Sequence, residues 1–453
     1  MVLAKRDKEK KINPKRSWRR LRRRFAVEST RMVRRISHTE EAAREPIDFS
    51  APSIPYYKNL AERFSLARIV LYMLLFVFVV VTLISSRHLI TYSNLYYLVK
   101  DINAASLTAQ IEVDRLSYPA STVGSDFALY RGGLVIASGE EITALSASGK
   151  QTLSVSTSRA DPRVCASDKY FLTYGLGETS FDVYNSFVRV FGESTEYPIY
   201  GACIADNGTF AVVTRSRDYK SEVILYGSDM EKIAGCHIGG YVLSANLNPS
   251  GNVLAVVSVE AVDGVYTCKI TTLHLSSGVK QSTLELTDTF PASVDFISDT
   301  RLAMVCADRL LILDTSGEPA VNAEVSLAEE TSSLCAMTTD GGGAVAILSE
   351  SRTNLSENML TVYDKNGEIA YTVRIDATRS AVEMCWGGQA LYIRTQDTLV
   401  RVDAKGKSIR YASIGRDTLA VLPDGNGGLL VCGPAFASGL TSSDFAASIE
   451  GEP

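Results

Sequence analysis

Few residues of this 453-residue chain have types and spacings that could support catalysis. Beyond the first 66 residues the histidines are His88, His237 and His274. No G-x-S-x-G, H-E-x-x-H or phosphate-binding glycine motif occurs. His237 and His274 fall in strand-like stretches of neighbouring repeats, where a histidine ordinarily has a structural role. We therefore predict that the chain is not an enzyme.

The eight cysteines are spread at about one per repeat. Cys165, Cys203, Cys335 and Cys385 each shortly precede a predicted turn, so their thiols could converge on a soft metal if these strands line a channel. Structural zinc sites instead use close pairs such as C-x-x-C. The scattered, apolar settings are typical of buried free thiols. We predict no metal, no cofactor and mostly reduced cysteines.

A pair of carboxylates is the remaining catalytic possibility. Two acidic side chains about 5–9 Å apart in a cleft are typical of glycan-active enzymes. Isolated loop carboxylates are more often solvated, so this is the weakest of three functional hypotheses. The candidates in predicted loops are Asp182, Asp218, Glu222, Asp263 and Glu350.

Aromatic and arginine side chains in the same loops are better candidates for partner binding. Four long segments connect the second and third strands of their units and should lie on one face: 175–187, 215–222, 259–266 and 350–358. Tyrosine, phenylalanine and arginine are residues that interface hot spots favour. The candidate partner-binding residues are Tyr184, Phe187, Arg217, Tyr219 and Tyr266.

Hairpins that recur about every 40 residues would position these loops, and such a period is typical of β-propeller blades. A late hairpin with a Gly-containing turn occurs at 141–155, 272–286, 311–325, 361–375 and 399–414. Earlier hairpins, such as 202–214 and 421–432, have Asp-Gly or Asn-Gly turns. Early and late hairpins together make four-stranded units at 126–157, 162–195, 200–240, 241–288, 291–327, 333–375 and 380–411.

The fold class is therefore all-β, a β-propeller over 108–440 followed by a flexible tail over 441–453. A last strand pair at 416–434 lacks a late hairpin, and the strand 111–116 could complete it. Strands from both ends of the chain would then close the ring and remove an open sheet edge. We prefer eight blades, with seven as the alternative.

The early hairpins resemble those of WD40, TolB-like and YVTN-type propellers, and the late hairpins resemble PQQ-like repeats. The late pattern is carried by Asp314, Gly317 and Glu318, by Asp364, Gly367 and Glu368, and by Asp403, Gly406 and Lys407. The resemblance covers roughly 110–435 and implies a propeller. It does not extend to quinone chemistry, because no vicinal cysteine pair or acidic calcium site is visible.

The N-terminal region has a different composition. Residues 1–66 contain 18 Lys and Arg against 8 Asp and Glu. The segment 66–86 follows, with no charge from Ile69 to Ile84, and is long enough to cross about 30 Å of hydrocarbon. We predict a single-pass transmembrane helix with the N-terminus cytoplasmic and the propeller extracytoplasmic, as a signal anchor in the cell membrane.

Three further segments complete the predicted layout: a basic cytoplasmic arm (1–44), a Pro-rich linker (45–65) and a stalk helix (87–107). The basic composition of the arm predicts a helix that contacts anionic lipid of the inner leaflet rather than nucleic acid. The predicted contacts are Trp18, Arg19, Arg20, Arg22, Arg23 and Arg24. The whole layout also resembles an uncharacterised family of single-pass membrane proteins of Gram-positive, clostridial bacteria.

Three functions are compatible with this layout. A non-catalytic scaffold for protein–protein interaction in the cell envelope is preferred, because the ring is rigid and carries no catalytic motif. The alternatives are a receptor for a small molecule, peptide or cell-wall glycan that signals through the membrane helix, and a glycan-active enzyme. The first predicts an envelope protein as partner, and the receptor predicts a concave pocket.

Overall fold

The computed structural model describes residues 64, 67–68, 70–78, 115–119, 124–275, 279–327, 331–339, 342–351, 357–376, 381, 383–388, 390–423 and 428–446. The predicted basic arm with its lipid contacts, most of the linker, and the stalk helix lie outside these residues. The chain divides into two compact units, Met1–Leu95 and Tyr96–Pro453.

In the first unit, residues 70–78 are helical and their apolar side chains are exposed. Arg68 Nε donates to the hydroxyl of Tyr72 at 3.2 Å. None of the helices within the described residues is both long enough and apolar enough to cross a membrane. Residues 79–86 of the predicted span are not among those described.

The second unit contains eight four-stranded antiparallel sheets in the described part of the chain, each a blade of the predicted propeller. Blades 1 to 4 comprise, in order, β2 Asp126–Tyr130, β3 Gly133–Ala137, β4 Glu141–Leu145 and β5 Gln151–Ser156; β6 Pro162–Ala166, β7 Phe171–Gly175, β8 Ser180–Tyr184 and β9 Arg189–Ser194; β10 Ile199–Ile204, β11 Phe210–Arg215, β12 Ser221–Tyr226 and β13 Lys232–Ile238; and β14 Tyr241–Leu247, β15 Val253–Val262, β16 Val265–His274 and β17 Lys280–Thr287.

Blades 5 to 7 comprise β18 Pro291–Ser298, β19 Arg301–Cys306, β20 Arg309–Asp314 and β21 Ala320–Ser326; β22 Thr331–Thr339, β23 Val345–Ser351, β24 Glu357–Tyr363 and β25 Ile369–Asp376; and β26 Glu383–Gly387, β27 Ala390–Arg394, β28 Thr398–Asp403 and β29 Ile409–Ser413. Blade 8 consists of β30 Ala420–Pro423, β31 Leu429–Cys432, β32 Phe436–Leu440 and, at its outer edge, β1 Arg115–Ser117. The preferred count of eight blades is confirmed.

Burial follows the position of a strand within its blade. The second and third strands are apolar and buried on both sides, as in β7 and β20, because each sheet packs face to face against both neighbours. Outer strands alternate, and in β17 every second residue is exposed. The apolar cores therefore lie between blades, and each combines strands of adjacent sheets.

The ring closes through a strand from the N-terminal side of the propeller. The first strand of each blade contacts the first strand of the next, including β30 with β2. Leu116 of β1 is fully buried in a cluster with apolar residues of blades 1 and 8. The Tyr118 hydroxyl donates to the Gly433 carbonyl at 2.6 Å, and its ring lies 6.2 Å from that of Phe127 in blade 1. The predicted closure is confirmed, and within the described residues the closing strand is Arg115–Ser117.

Polar side chains also join the inner strands of neighbouring blades. The main-chain N–H of Val164 in blade 2 donates to Asp126 of blade 1 at 2.9 Å. The Thr339 hydroxyl of blade 6 donates to Asp295 of blade 5 at 2.8 Å. Burial raises the pKa of both carboxyl groups, against the opposing effect of these hydrogen bonds.

The end of the chain departs from the predicted flexible tail over 441–453. Residues 441–446 lie against blade 7, with a short 3₁₀ turn at Ser442–Asp444. Phe445 is buried beside Tyr392, at 5.8 Å between ring centroids. One buried aromatic side chain therefore fixes the first part of the segment. Residues 447–453 lie outside those described.

Candidate interaction surface

The two ends of the propeller carry different connections. We call the end with the links between second and third strands, and between blades, the front face. The back face is the end with the turns between first and second strands and between third and fourth strands. Those turns contain the predicted glycines, for example Gly208 and Gly367, whose φ angles of 88° and 84° favour glycine.

The structure separates the five predicted partner-binding residues. Arg217 and Tyr219 lie in the front-face loop 216–220, and Tyr266 lies on a front-face hairpin. The prediction that Tyr184 lies in a loop is wrong, because it ends strand β8 and its buried ring stacks on Phe171 at 5.3 Å. Phe187 is in the next turn, on the back face. The segment 175–187 was predicted as one loop, but its period-two stretch Ser180–Tyr184 is a strand.

The predicted loop 259–266 is a hairpin that rises above the front face. Strands β15 and β16 each have ten residues and are joined by Asp263 and Gly264 alone. Their φ angles of 52° and 82° are those of a type I′ turn, which suits a two-residue hairpin. The inner strand β14 begins opposite Val259, so the hairpin projects three residues, about 10 Å, beyond it. In blade 5 the corresponding hairpin stops level with its inner strand.

The blade 4 hairpin presents Tyr266 towards blade 5. Tyr266 pairs with Ala261, on the same side of the sheet as Val259 and Cys268, which pack against blade 5. Its ring meets that of Phe290 edge to face, with centroids 5.8 Å apart. Tyr266 and Phe290 are 54% and 55% exposed, so this aromatic pair presents apolar surface to solvent.

The segment just before Phe290 is held by hydrogen bonds from blade 5 and from the blade 4 hairpin. Arg309 donates to the Asp288 carbonyl at 3.2 Å and to the Thr289 hydroxyl at 3.0 Å. Thr289 is buried, and the N–H of Asp288 donates to the Tyr266 carbonyl at 2.8 Å. Asp288 has a φ of 53°, a strained value that persists only where surrounding contacts impose it. Phe290 is therefore exposed to solvent, and the two residues before it are held by hydrogen bonds.

A second aromatic group lies on the front face of blades 3 and 4. Tyr219 stacks on His237 with ring centroids 4.7 Å apart, and Lys220 lies over the ring of Tyr241 at 5.3 Å. Tyr241 is 60% exposed. We call the exposed residues of this group, together with those of the blade 4 hairpin and Phe290, the front aromatic patch: Tyr219, His237, Tyr241, Leu243, Val265, Tyr266 and Phe290.

Of the titratable residues considered for catalysis, Asp182 and His274 make structural contacts. Asp182 pairs with the buried Arg159 at 2.6 Å and with Arg189 at 2.5 Å. His237 lies at the front end of β13. His274 lies at the back end of β16, where its Nε2 is 3.1 Å from the Gly317 carbonyl. The two histidines of neighbouring repeats therefore do not meet.

The four cysteines proposed to line the channel do lie in inner strands: β6, β10, β22 and β26. The thiols of Cys165, Cys203 and Cys385 are free, and the first donates to the Ala202 carbonyl at 3.3 Å. Burial raises the pKa of each of these three thiols to about 12, which disfavours the thiolate that a soft metal requires. Within the described ranges, no group of three or more His, Cys, Asp or Glu side chains could hold a metal ion.

The back face has an open cleft of about 520 Å³ between blades 3 and 4. No sequence motif marks it, because its walls come from turns of two different repeats. The lining is mostly polar, and it consists of Asn207, Thr209, Gly227, Ser228, Asp229, Glu231, Lys232, Ile233, Gly251, Asn252 and Leu275.

Comparison with known families assigns the propeller region to one family. The model of a family described as "Family of unknown function (DUF5711)" matches residues 108–433. The chain belongs to this family. The match extends from just before β1 to the end of β31, so it covers every blade strand except β32. No curated protein matches the chain in sequence.

The solved structures similar to this member of the family have low sequence identity to it. Sqt1 from Chaetomium thermophilum is 12% identical with a TM-score of 0.51, covering 73% of this chain and 98% of that chain. Apo AztD from Citrobacter koseri is 10% identical (TM-score 0.49; 72% and 90% covered). BamB from Moraxella catarrhalis is 11% identical (TM-score 0.47; 72% and 98% covered). At 12% identity, the similarity to Sqt1 concerns the fold alone.

Proposed function

We propose that this protein is a non-catalytic scaffold that holds a protein partner of the cell envelope on the front aromatic patch. The observation that carries the proposal is Phe290, which is exposed, lies beside Tyr266 and follows two residues that Arg309 holds by hydrogen bonds. An exposed aromatic side chain that is already ordered loses little conformational entropy on binding. Such anchors supply most of the energy of protein interfaces.

The patch has the composition of an interface centre with a polar rim. Tyrosine, phenylalanine and histidine lie next to Lys220 and the predicted hot-spot residue Arg217, which is exposed in the same loop as Tyr219. Aromatic centres with charged borders distinguish interfaces from the remaining surface. Of the five predicted residues, Arg217, Tyr219 and Tyr266 remain in this proposal.

The proposal includes a membrane anchor. The uncharged apolar stretch from Ile69 to Ile84 and the basic residues before it support a single-pass helix, with the propeller outside the cytoplasm. The basic arm would contact anionic lipid through Trp18 and the neighbouring arginines. Anchoring would hold the ring close to the membrane, where envelope proteins are its available partners.

The test is recovery of a partner by chemical crosslinking of the full-length, tagged protein in cells. We expect one envelope protein to co-purify with the wild type. The double variant Y266A/F290A should recover at least about tenfold less, since hot-spot truncations cost about 2 kcal/mol or more. The matched control V321A/I369A removes two exposed apolar residues of the back face and should recover the wild-type amount. Equal loss in both double variants, or no protein partner at all, would reject the proposal.

The back-face cleft favours one second candidate, a receptor for a small polar molecule or glycan. Its volume of about 520 Å³ suits a small ligand, and its amide, hydroxyl and carboxylate groups suit hydroxyl-rich compounds. Binding of cell-wall glycan fragments to the full-length protein, lost in N252A but retained in Y266A/F290A, would favour this reading over the scaffold.

A further inference from the structure

The segment after the last blade strand pairs with the outer edge of blade 7. Tyr411 lies in β29, the outer strand of that blade. Its N–H donates to the Ala446 carbonyl at 2.8 Å, and the N–H of Ala446 donates to the Tyr411 carbonyl at 2.9 Å. These two bonds form one antiparallel bridge. Ala446 therefore makes a single antiparallel bridge to the outer edge of a sheet whose last strand is β29.

The residue before this bridge fills an apolar pocket. Phe445 is 5% exposed and belongs to a buried cluster with residues of blades 7 and 8. Its ring lies 5.8 Å from that of Tyr392 at a tilt of 49°. Main-chain pairing thus supplies attachment to the edge, and the pocket distinguishes an aromatic side chain from smaller ones.

A local turn aims Phe445 at the pocket. The N–H and hydroxyl of Thr441 both donate to the Asp444 carboxylate, at 2.7 and 2.8 Å. These bonds lower the pKa of Asp444 below its ordinary value. The turn spans only Ser442–Asp444, so the contact with blade 7 depends on a short segment.

We propose that the outer edge of blade 7 is a peptide-binding groove for an extended polypeptide segment in which an aromatic residue precedes a small one. The C-terminal segment of the chain occupies it in cis. Ile409 and Ser413 lie two residues to either side of Tyr411, so their main-chain groups face the same edge and a longer segment can continue the pairing. The pocket for Phe445 sets the register of the added strand.

Because the chain's own C-terminal segment occupies the groove, it competes with any other peptide for that site. A segment joined to β32 by a few residues has an effective concentration in the millimolar range, so a weak free peptide does not displace it. A segment from a partner binds when it pairs along more of the edge, or when the tail is removed. This groove is separate from the front aromatic patch, and either can exist without the other.

The experiment uses a fluorescein-labelled synthetic peptide of residues 441–453 and a chain that ends at Leu440. We expect saturable binding by fluorescence anisotropy, and at least about tenfold weaker binding of the same peptide with F445A, because the buried aromatic ring carries the specificity. The full-length chain should bind the peptide at least about tenfold more weakly than the truncated chain, because its groove is filled.

A second variant keeps the proposal testable if the truncated chain does not fold. Full-length F445A retains the whole tail but lacks the aromatic side chain that anchors it. It should therefore bind the wild-type peptide more tightly than the full-length wild type does. Equal binding of the wild-type and F445A peptides would overturn the proposal. No peptide binding to a truncated chain that is folded, as shown by a cooperative thermal transition, would also overturn it. So would equal peptide affinity of full-length wild type and F445A.

Discussion

At the residue scale, the side chains that matter most are those held in place by a neighbouring blade. Phe290 is exposed yet ordered because Arg309 fixes the two residues before it. Asp295 is bonded to Thr339 across the seam between blades 5 and 6. These contacts join residues about 20 and 44 positions apart, so no local pattern in the sequence predicts them.

Asp295 predicts a pH-dependent contribution to stability. Burial raises the folded pKa of its carboxyl group above the ordinary value of 3.8, so the folded state retains a proton that the unfolded state has lost. Stability from this group is therefore present below pH 3.8 and decreases as the pH rises through the folded pKa. D295N removes the titration while keeping a similar shape.

We expect the free energy of unfolding of D295N, relative to wild type, to rise between about pH 4 and pH 7. Denaturant unfolding of both proteins at several pH values measures this difference. A difference that stays constant across the range, or falls, contradicts the assignment.

At the element scale, hairpins were the most predictable part of the molecule. Asp-Gly and Asn-Gly turns between period-two apolar runs gave the blade units to within a few residues. The same signal, Asp263-Gly264 between alternating apolar residues, could have identified the projecting hairpin that was interpreted as a loop. The docking of residues 441–446 was not predictable, because a single aromatic residue in a polar segment has no periodicity.

A glycine inside a strand provides a test of how closely the strands pack. A Cβ atom added at Gly133 in β3 would lie 2.0 Å from the Leu145 carbonyl oxygen, a main-chain atom that cannot move aside. We expect G133A to lower the free energy of unfolding by at least about 2 kcal/mol. Equilibrium denaturation measures it.

The matched control is G439A, in strand β32, where an added Cβ would have no neighbour within 4 Å. Alanine loses less chain entropy than glycine, so this change should be neutral or stabilising by about 0.5–1 kcal/mol. Similar effects of both substitutions would contradict the packing described for blade 1.

At the scale of the whole molecule, an eight-bladed ring is closed by a strand at 115–117, shortly after the apolar segment. The sequence indicated this architecture because each repeat carries its own turns and strands. It did not indicate which surface binds a partner, because the front aromatic patch combines residues of separate repeats that only the ring brings together.

The proposed topology predicts which positions are accessible from outside the cell. A cysteine at position 369, on an exposed side chain of the propeller, should react with a membrane-impermeant maleimide in intact cells. A cysteine at position 22, in the basic arm, should react only after permeabilisation. The wild type is the control, since the cysteines described are at least half-buried. Labelling of R22C but not I369C in intact cells contradicts the orientation.

Site-specific photo-crosslinking in cells tests whether the front aromatic patch binds a protein partner. Benzoylphenylalanine would be placed at Leu243 and Val265, within the patch, and at Val321 and Ile369 on the back face; all four side chains are exposed. We expect one crosslinked partner from both patch positions and none from the two back-face positions. The same product from all four positions, or products only from the back face, would contradict it.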